Sequence, residues 1–495
     1  MPKVSNRISI HLIVMIALLM SPILCSAHVG SPDVYFNGQA GPYKLLITVR
    51  PPAMIPGIAQ VEVRAGAPGV RSIQAVPLYI VGEGSKYPPT PDAFEQSKDD
   101  PQLFTGQLWI MGSGSWQVRL EANGAQGPGS ISVPVPAFAT RTLRMQKTLG
   151  AFLFAVMLVL VAAFVSIFGA GGREAFLDPG QKPGRAQSVR GVVVMAFSAL
   201  LLIAILFRGN FWWDTVAASQ AKNMIYKAPP LAASLQAPGK LVLRIDESKW
   251  HSRRDQTVMT ALIPDHGHIM HLFLVRMPQM DAFEHLHPRQ IELGNFVQQA
   301  PALPEGHYKI FADVVHSTGF PETYVGNLDL PRITSAASGD ADDSGRQSAQ
   351  PAGESSDLGD NDRMIWEKPS ELRANQLLSL RFRVVDKNGV PATDLEPYMG
   401  MAGHAVIIST DGNVFAHVHP SGSVPMVSVE LAQTGHLPPT DAAAMAVMPG
   451  MTPSAHMAPE VSFPWGFPRV GTYRVFVQVK RAGHVDTGVF EADVR

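Results

Sequence analysis

The stretch that decides the fold is Gly471-Thr-Tyr473-Arg-Val-Phe-Val-Gln-Val479, close to the end of the chain. After its opening glycine it alternates in the way that is typical of a half-buried β-strand. The same order of glycine, any residue and an aromatic opens Gly114-Ser-Trp116 and Gly306-His-Tyr308. An aromatic just after the turn into a late strand is a frequent packing device in immunoglobulin-like sandwiches. The three copies therefore predict a mainly β protein with three immunoglobulin-like β-sandwich domains.

The second and third of these units share a longer pattern. His271-Leu-Phe-Leu-Val275 precedes Phe283-Glu-His285-Leu-His287-Pro288 in one unit, and His404-Ala-Val-Ile-Ile408 precedes Phe415-Ala-His417-Val-His419-Pro420 in the other. The interval between the first and second histidines is 14 residues in the earlier copy and 13 residues in the later one. We interpret the two units as the products of a duplication.

Length and charge exclude several classes of protein. A chain of 495 residues is long enough for about three to four folding units of ordinary size. It has 40 Lys and Arg residues against 41 Asp and Glu residues, and charged residues make up 16%. This balance lacks the basic excess of a nucleic-acid binder and the composition of a disordered protein, so we expect no nucleic-acid partner.

The chain has a single cysteine, Cys25. One thiol cannot form an intramolecular disulfide, a haem attachment motif, an iron–sulfur cluster or an all-cysteine zinc site. Any metal site must therefore rely on histidine, methionine or carboxylate ligands.

Three apolar segments predict export and a membrane anchor. Residues 1–27 have a basic start, an apolar run and small residues before position 28, as in a cleaved signal peptide. Residues 149–170 and 191–207 predict a transmembrane hairpin between the first and second β domains. We therefore expect a protein of the bacterial inner membrane with both soluble regions in the periplasm.

These observations divide the chain into seven parts. They are a signal peptide (1–27), an extracytoplasmic β-sandwich (28–140), the transmembrane hairpin with a short cytoplasmic loop (141–214), a linker (215–235), a His-rich β-sandwich (236–333), a flexible linker rich in Ser, Gly and Asp (334–362) and a His/Met-rich β-sandwich (363–495).

Histidines concentrate in the second half of the chain, where 14 of the 16 lie between His251 and His484. Residues i and i+2 of a strand point to one face, so each His-x-His pair presents two imidazoles side by side. The candidate ligands are His271, His285, His287, His404, His417 and His419, with His268 close by. Imidazole suits copper, with zinc as the alternative. Phe283 and Phe415 share the face of these pairs, so that face can equally be a sandwich interior.

Methionine gives a second indication of copper. Met445, Met448 and Met451 are spaced by three residues in a loop rich in Pro and Ala, and Met401 lies near the histidines. A thioether is a soft ligand that favours Cu(I). His28 would become the first residue after cleavage, where its amine and imidazole can chelate copper together.

The last two domains resemble the extracytoplasmic YtkA-like β-sandwich proteins associated with copper and heavy-metal handling. The similarity is carried by Met401-Ala-Gly-His404, Phe415-Ala-His417-Val-His419-Pro420 and Phe467-Pro-Arg-Val-Gly-Thr-Tyr473. It covers residues 363–495, with 236–333 as a more divergent copy. The first domain is loosely similar to CopC-type copper carriers, whose mature chains also start with histidine, but it has no downstream histidine of its own.

The sequence predicts a membrane-anchored periplasmic metal-binding protein that buffers, delivers or gives resistance to copper. Its partners would be the metal ion, the inner membrane and another periplasmic or membrane copper protein. Two alternatives stay open. One is a copper-dependent oxidase or monooxygenase, or a subunit of one, and the other is a structural or pH-sensing ectodomain without metal.

Overall fold

A computed structural model of the chain describes residues 33–143, 145–226, 230–245, 261–334, 339–347, 351, 353–359, 362–437 and 457–495. The expected signal peptide, His28 and the three methionines Met445, Met448 and Met451 lie outside the described residues. What the sequence indicates for these segments stays a prediction.

The first unit consists of two antiparallel sheets around one core. Its strands are β1 (Val34–Ala40), β2 (Tyr43–Arg50), β3 (Gly57–Ala65), β4 (Val70–Tyr79), β5 (Asp92–Ala93), β6 (Glu95–Gln96), β7 (Leu103–Ile110), β8 (Gly114–Gly124) and β9 (Gly127–Ala137). One sheet has the order β1-β2-β3-β7-β6 and the other β5-β4-β8-β9. Alternate residues such as Ile47 of β2 and Val118 of β8 meet in the shared core, as expected for strands with one buried face.

Two long helices follow the first unit. Helix α1 (Lys147–Glu174) and helix α2 (Arg185–Met224) are long and apolar enough to cross a membrane, by length and composition. The 28 residues of α1 extend over about 42 Å at the usual helical rise. The helices pack closely where Gly169 faces Met195, since a Cβ atom at Gly169 would collide with that side chain. The second helix is longer than the apolar run 191–207 from which it was predicted.

The second unit again has two sheets around one core. Its strands are β10 (Leu231–Gln236), β11 (Lys240–Ile245), β12 (Leu262–Ile263), β13 (His271–Met277), β14 (Ala282–Leu286), β15 (Arg289–Glu292), β16 (Asn295–Gln299), β17 (Gly306–His316), β18 (Pro321–Leu330) and β19 (Ser344–Gln347). The smaller sheet has the order β10-β11-β16-β15. The larger has the order β12-β17-β13-β14-β19, with β18 paired to β17.

The third unit repeats this plan. It contains β20 (Ser355–Gly359), β21 (Asp362–Trp366), β22 (Leu378–Val385), β23 (Leu395–Glu396), β24 (His404–Ser409), β25 (Phe415–Val418), α3 (Met426–Thr434), β26 (Glu460–Trp465), β27 (Gly471–Arg481) and β28 (His484–Val494). One sheet has the order β20-β21-β22-β26. The other has the order β23-β27-β24-β25, with β28 paired to β27.

The first and third units interlock. The Tyr35 ring of β1 belongs to the core of the third unit, where it meets Trp465 edge-on at 5.6 Å between ring centroids. The backbone amide of Asn37 donates to the carbonyl of Ser421 at 2.7 Å. Val429 of α3 packs in turn into the core of the first unit. The first unit is therefore held against the third by both backbone and side-chain contacts.

The structure confirms a mainly β protein with several antiparallel sheets and a two-helix apolar hairpin. It differs from the expectation for residues 334–362, which were predicted to be a flexible linker. The described part of this segment contains β19, which pairs with β14, and β20, which pairs with β21. Ser, Gly and Asp composition indicated a linker, but edge pairing to an existing strand overrides that local preference.

Candidate metal centre

The candidate centre lies on the outer faces of two sheets that pack against each other. In β13, Phe273 and Val275 are buried on the same face as His271, and in β24, Val406 and Ile408 are buried with His404. The apolar residues of these faces form a hydrophobic cluster that belongs to neither unit's own core. Its members are Phe273, Val275, Met280, Phe283, Phe311, Val406, Ile408, Phe415, Phe476 and Val489.

Aromatic stacking fixes the contact between the two units. The rings of Phe283 and Phe476 stack at 4.2 Å between centroids, and those of Phe311 and Phe415 stack at 4.3 Å. The face shared by the phenylalanines and the His-x-His pairs is thus an interface between the duplicated units. The alternative from the sequence, that this face is the interior of one sandwich, is therefore wrong.

The histidines lie at one end of this interface, where the two duplicated hairpins meet. Eight imidazoles come together there: His266, His268, His271, His285, His287, His404, His417 and His419. His285 and His404 are completely buried. Contacts cross the interface directly, since the ring centroids of His271 and His417 are 5.3 Å apart. The residues therefore form a single cluster to which both units contribute.

Two equivalent turns bring further side chains to the cluster. Asp265 and His268 pair across His266 and Gly267, and Tyr398 and Met401 pair across Met399 and Gly400. The two central residues of each turn have positive φ, which is the geometry of a type I′ hairpin turn. His266 and His268 in the second unit thus correspond to Met399 and Met401 in the third.

Hydrogen bonds to acceptor groups set the orientation of three rings in the second unit. His271 Nε2 donates to the carbonyl of Asp265 at 3.2 Å, and His285 Nδ1 donates to Gln478 Oε1 at 3.0 Å. His287 Nδ1 donates to Asp343 Oδ1 at 3.0 Å. A neutral imidazole that donates from one nitrogen presents a lone pair on the other. The lone pairs of His271 Nδ1, His285 Nε2 and His287 Nε2 therefore remain for another partner.

The same arrangement holds a ring of the third unit. His419 Nδ1 donates to the carbonyl of Val424 at 3.2 Å. Ligating histidines in metal sites usually donate their second N–H to a carbonyl or a carboxylate in this way.

Several buried ring nitrogens have no hydrogen-bond partner among the described residues. They are Nε2 of His266, His287, His417 and His419, and both ring nitrogens of His404. A buried polar atom without a partner costs about 1–3 kcal/mol. Such a concentration of buried nitrogen atoms without a hydrogen-bond partner is unusual in a folded protein.

Burial keeps these rings in the form that binds metal. Removal from water, reinforced by neighbouring imidazoles, lowers the pKa of His266 and His419 to about 4. Burial also lowers the pKa of His285 to about 3. The pKa values of His271, His287, His404 and His417 are shifted well below 6.5 by the same causes. These side chains are therefore neutral at pH 7 and can each donate a lone pair.

Carboxylates surround the cluster. Asp343 holds His287, and Asp342 lies 3.8 Å from His268 Nε2. On the other side, Asp313 Oδ2 is 3.5 Å from His417 Nδ1, and burial raises the pKa of Asp313 to about 7. These groups can orient imidazoles and balance part of the charge of a bound cation.

Residues of all three units line an open cavity of about 140 Å³ beside the cluster. His271, His417 and His419 are among its lining residues. Phe138, which precedes α1, and Tyr226, which follows α2, also line it, and their rings are tilted against each other at 4.5 Å between centroids. The cavity is therefore bordered both by histidines of the cluster and by the chain segments next to the two helices.

All seven histidines proposed from the sequence within the duplicated units come together in this cluster. Met401 is buried in the turn next to it. The sequence analysis did not include His266. Its place before Gly267 in Asp265-His266-Gly267-His268 is typical of a two-residue turn, which could have placed it near His268 and His271. It also missed Asp343 and its neighbours, which were assigned to a linker. Whether the histidines bind metal stays a prediction.

Comparisons with known proteins give little further information. Residues 359–495 match a family described as Domain of unknown function (DUF8832), which covers the third unit. No curated protein matches the chain. The chain is therefore assigned no activity by similarity, and the resemblance to YtkA-like and CopC-like proteins stays a prediction.

Solved structures match only at a low level. An engineered protein is 16% identical, with 19% of this chain and 20% of that chain covered and a TM-score of 0.15. Dimeric latent PorU from Porphyromonas gingivalis is 9% identical, with 89% and 32% covered and a TM-score of 0.13. A bacterial ice-binding adhesin is 5% identical, with 89% and 91% covered and a TM-score of 0.15. This chain spans a third or less of the first two proteins, and scores this low carry no argument about fold.

Proposed function

We propose that this protein binds copper in the histidine cluster and buffers or delivers the ion outside the cytoplasm. One observation carries the proposal: five buried imidazoles present nitrogens that have no hydrogen-bond partner within the described structure. A metal ion would satisfy these lone pairs together, because each neutral imidazole is a ready ligand. The unpaired nitrogens raise the free energy of the metal-free protein, and binding of the ion removes this penalty, which increases the affinity.

The donor set favours copper over zinc. Imidazole binds both ions, but Cu²⁺ binds more strongly than Zn²⁺ at a given nitrogen site. Met399 and Met401 occupy the turn that corresponds to His266 and His268, and thioethers favour Cu(I). The methionines Met445, Met448 and Met451 would extend this preference as an acquisition arm. Zinc is the alternative ion.

The location follows from the anchor. We infer that α1 and α2 cross the bacterial inner membrane and that the signal peptide places the three β units in the periplasm. We also propose that each two-sheet unit is an immunoglobulin-like sandwich. Another periplasmic or membrane copper protein would then supply or receive the ion.

The proposal is tested by metal titration of the full-length chain in detergent. After chelator treatment, Cu(I) is titrated without oxygen against a chromophoric chelator, and Zn²⁺ is titrated in parallel. We expect copper to bind with a Kd below about 1 µM, and His285→Ala combined with His404→Ala to weaken binding at least about 100-fold. The matched control combines His307→Ala with His484→Ala, two exposed histidines outside the cluster. Wild-type binding weaker than millimolar would contradict the proposal.

The cavity favours a second candidate, a copper-dependent oxidase or monooxygenase or a subunit of one. A space of about 140 Å³ next to His271, His417 and His419 can admit a small molecule to a metal bound there. Oxygen consumption by the copper-loaded protein in the presence of a reductant separates the two candidates. Sustained turnover above that of the chelated protein supports an enzyme, and its absence supports a carrier.

The third possibility, a pH sensor without metal, is less well supported. A switch near pH 6 needs histidines that become charged there. Burial lowers the pKa of His266 and His419 to about 4, so these groups stay neutral through that range.

A further inference from the structure

We propose that the cluster binds two metal ions, one inside the second unit and one that joins the second unit to the third. The first ion would be held by His271, His285 and His287. The second would be held by a triplet from both units, His266, His404 and His419. This inference rests on the proposed function and adds the number, position and separate ligands of the ions.

The first triplet has the spacing of ligands that share one ion. Its three ligand nitrogens all lie within 4.8 Å of one another, and His271 Nδ1 is 3.2 Å from His285 Nε2. Two nitrogens bound to a tetrahedral ion at the usual bond length are about 3.3 Å apart. The hydrogen bonds to Asp265 and Gln478 leave lone pairs on both of these nitrogens. Two lone pairs at this distance repel each other unless a cation lies between them.

The second triplet has the corresponding geometry at the level of the rings. The centroid of His419 is 5.1 Å from those of His266 and His404, which are themselves 5.6 Å apart. Imidazoles on one tetrahedral ion have centroids about 5.2 Å apart, since each centroid lies about 3.2 Å from the metal. Every ring of this triplet has at least one buried nitrogen without a partner in the described part of the chain.

One ion cannot use both triplets. Copper and zinc bind three or four imidazoles, whereas the two triplets offer six. Rings of different triplets are also farther apart, with 6.2 Å between the centroids of His285 and His404 and 6.3 Å between those of His266 and His271. The ligands therefore divide into two sets of three.

His417 lies between the two triplets. Its centroid is 5.3 Å from both His271 and His404. Its Nδ1 faces Asp313, so its Nε2 can become a fourth ligand to one ion and not to both. His417 adds no third ion.

A third grouping, His268 with His287 and Asp340, does not raise the number of ions. His287 uses Nδ1 to bond Asp343 and has only Nε2 to offer, which the first triplet already requires. His268 and Asp340 are also more exposed than the members of the first triplet. This grouping is an alternative position for the first ion on the more accessible side of the cluster.

The two sites differ in their dependence on the interface. The first triplet comes from residues 271–287 of one unit, whereas the second needs His266 of one unit and two histidines of the other. The stacked pairs of phenylalanines hold these units together. Weakening that contact should therefore reduce binding of the second ion more than binding of the first, whose three ligands lie in one unit although Gln478 of the third unit orients His285.

The test counts ions on the full-length chain in detergent. Native mass spectrometry of the copper-loaded wild type gives the stoichiometry directly, and Cu(I) titration with elemental analysis gives it independently. We expect two ions on the wild type and two on the control variant His307→Ala/His484→Ala. We expect one ion on His285→Ala/His287→Ala, one on His404→Ala/His419→Ala and none on the fourfold variant.

The outcomes separate this inference from the proposed function. One ion on the wild type, lost completely from both double variants, would overturn the two-ion centre and leave a copper-binding protein. Three or more tightly bound ions would also overturn it. No tight binding by the wild type would overturn both. Because mass spectrometry counts ions on the unmodified chain, the inference is decided even where a variant fails to fold, and size-exclusion chromatography identifies such variants.

Discussion

Replacing His404 by leucine should make the metal-free protein more stable, although the site loses a ligand. His404 is completely buried, and neither of its ring nitrogens has a hydrogen-bond partner in the region that the structure describes. Each unsatisfied nitrogen costs about 1–3 kcal/mol, and an apolar side chain of similar size removes this cost. Allowing for imperfect packing of leucine, we expect a gain of about 2 kcal/mol in the free energy of unfolding.

Copper should reverse the order of stability. At a free concentration 100 times the Kd, a ligand that binds only the folded state adds about 2.7 kcal/mol. Wild-type protein gains this stabilisation at the site that contains His404, whereas His404→Leu does not. The leucine variant is therefore expected to be the more stable protein in chelator and the less stable one in copper.

Thermal unfolding of the full chain in detergent measures this reversal. A change of about 2 kcal/mol corresponds to a shift of about 4–8 °C in Tm for a unit of this size. The control is His484→Leu at an exposed site, where a substitution changes stability by less than about 0.5 kcal/mol. If His404→Leu melts below the wild type in chelator, the imidazole has a stabilising role of its own and the argument from unsatisfied nitrogens is refuted.

Three further predictions follow from the contacts around the cluster. Burial lowers the pKa of His285 to about 3 and that of His419 to about 4. Below pH 6.5 these two histidines are therefore protonated in the unfolded chain but stay neutral in the folded protein. The stability that these histidines contribute is therefore fully present above about pH 6.5 and falls toward pH 4 by up to ~1.4 kcal/mol per pH unit for each such residue. Asp313 opposes this trend, because burial raises its pKa to about 7, but the buried histidines outnumber it, and Tm in chelator measured against pH should show the net fall. Asp343→Ala removes the hydrogen-bond acceptor that orients the His287 ring, so it should weaken copper binding by about 10- to 100-fold in the competition titration. The circular dichroism spectrum should be unchanged. An unchanged affinity for copper would argue against ligation by His287. Phe476→Ala removes a stacked ring from the interface and should destabilise the protein by about 3–5 kcal/mol in thermal unfolding, whereas a shift within error would mean that the interface is not closely packed.

The sequence predicted the local arrangement of the site better than its overall form. Strand alternation placed His285 with His287 and His417 with His419, because side chains two residues apart share a face. The duplication indicated that the histidines of the second unit and those of the third unit occupy equivalent positions. These two sets of histidines face each other because the units pack together, and no local periodicity of the sequence encodes that packing. Phe283 and Phe415 gave an indirect signal, since an apolar outer face must be covered by something.

The segment before the third unit shows a different limit of sequence reasoning. Residues 334–362 have the composition of a linker, yet Ser344–Gln347 adds a strand to the second unit and Asp343 orients a ring of the cluster. The pairing is made possible by the free edge of Ala282–Leu286, which is distant in sequence. Composition describes what a segment prefers alone, and here a neighbouring edge decides its structure.

Both copies of the duplicated unit contribute histidines to the cluster, and this affects the choice of fragments for expression. The region matched by the family, residues 359–495, contains three of the eight clustered histidines. A fragment trimmed to that boundary would lose Tyr35 and Leu358 from the core of the third unit and would leave behind most of the imidazoles. Metal assays on the isolated domain would then underestimate what the intact chain can hold, and fragment boundaries should instead begin before His266.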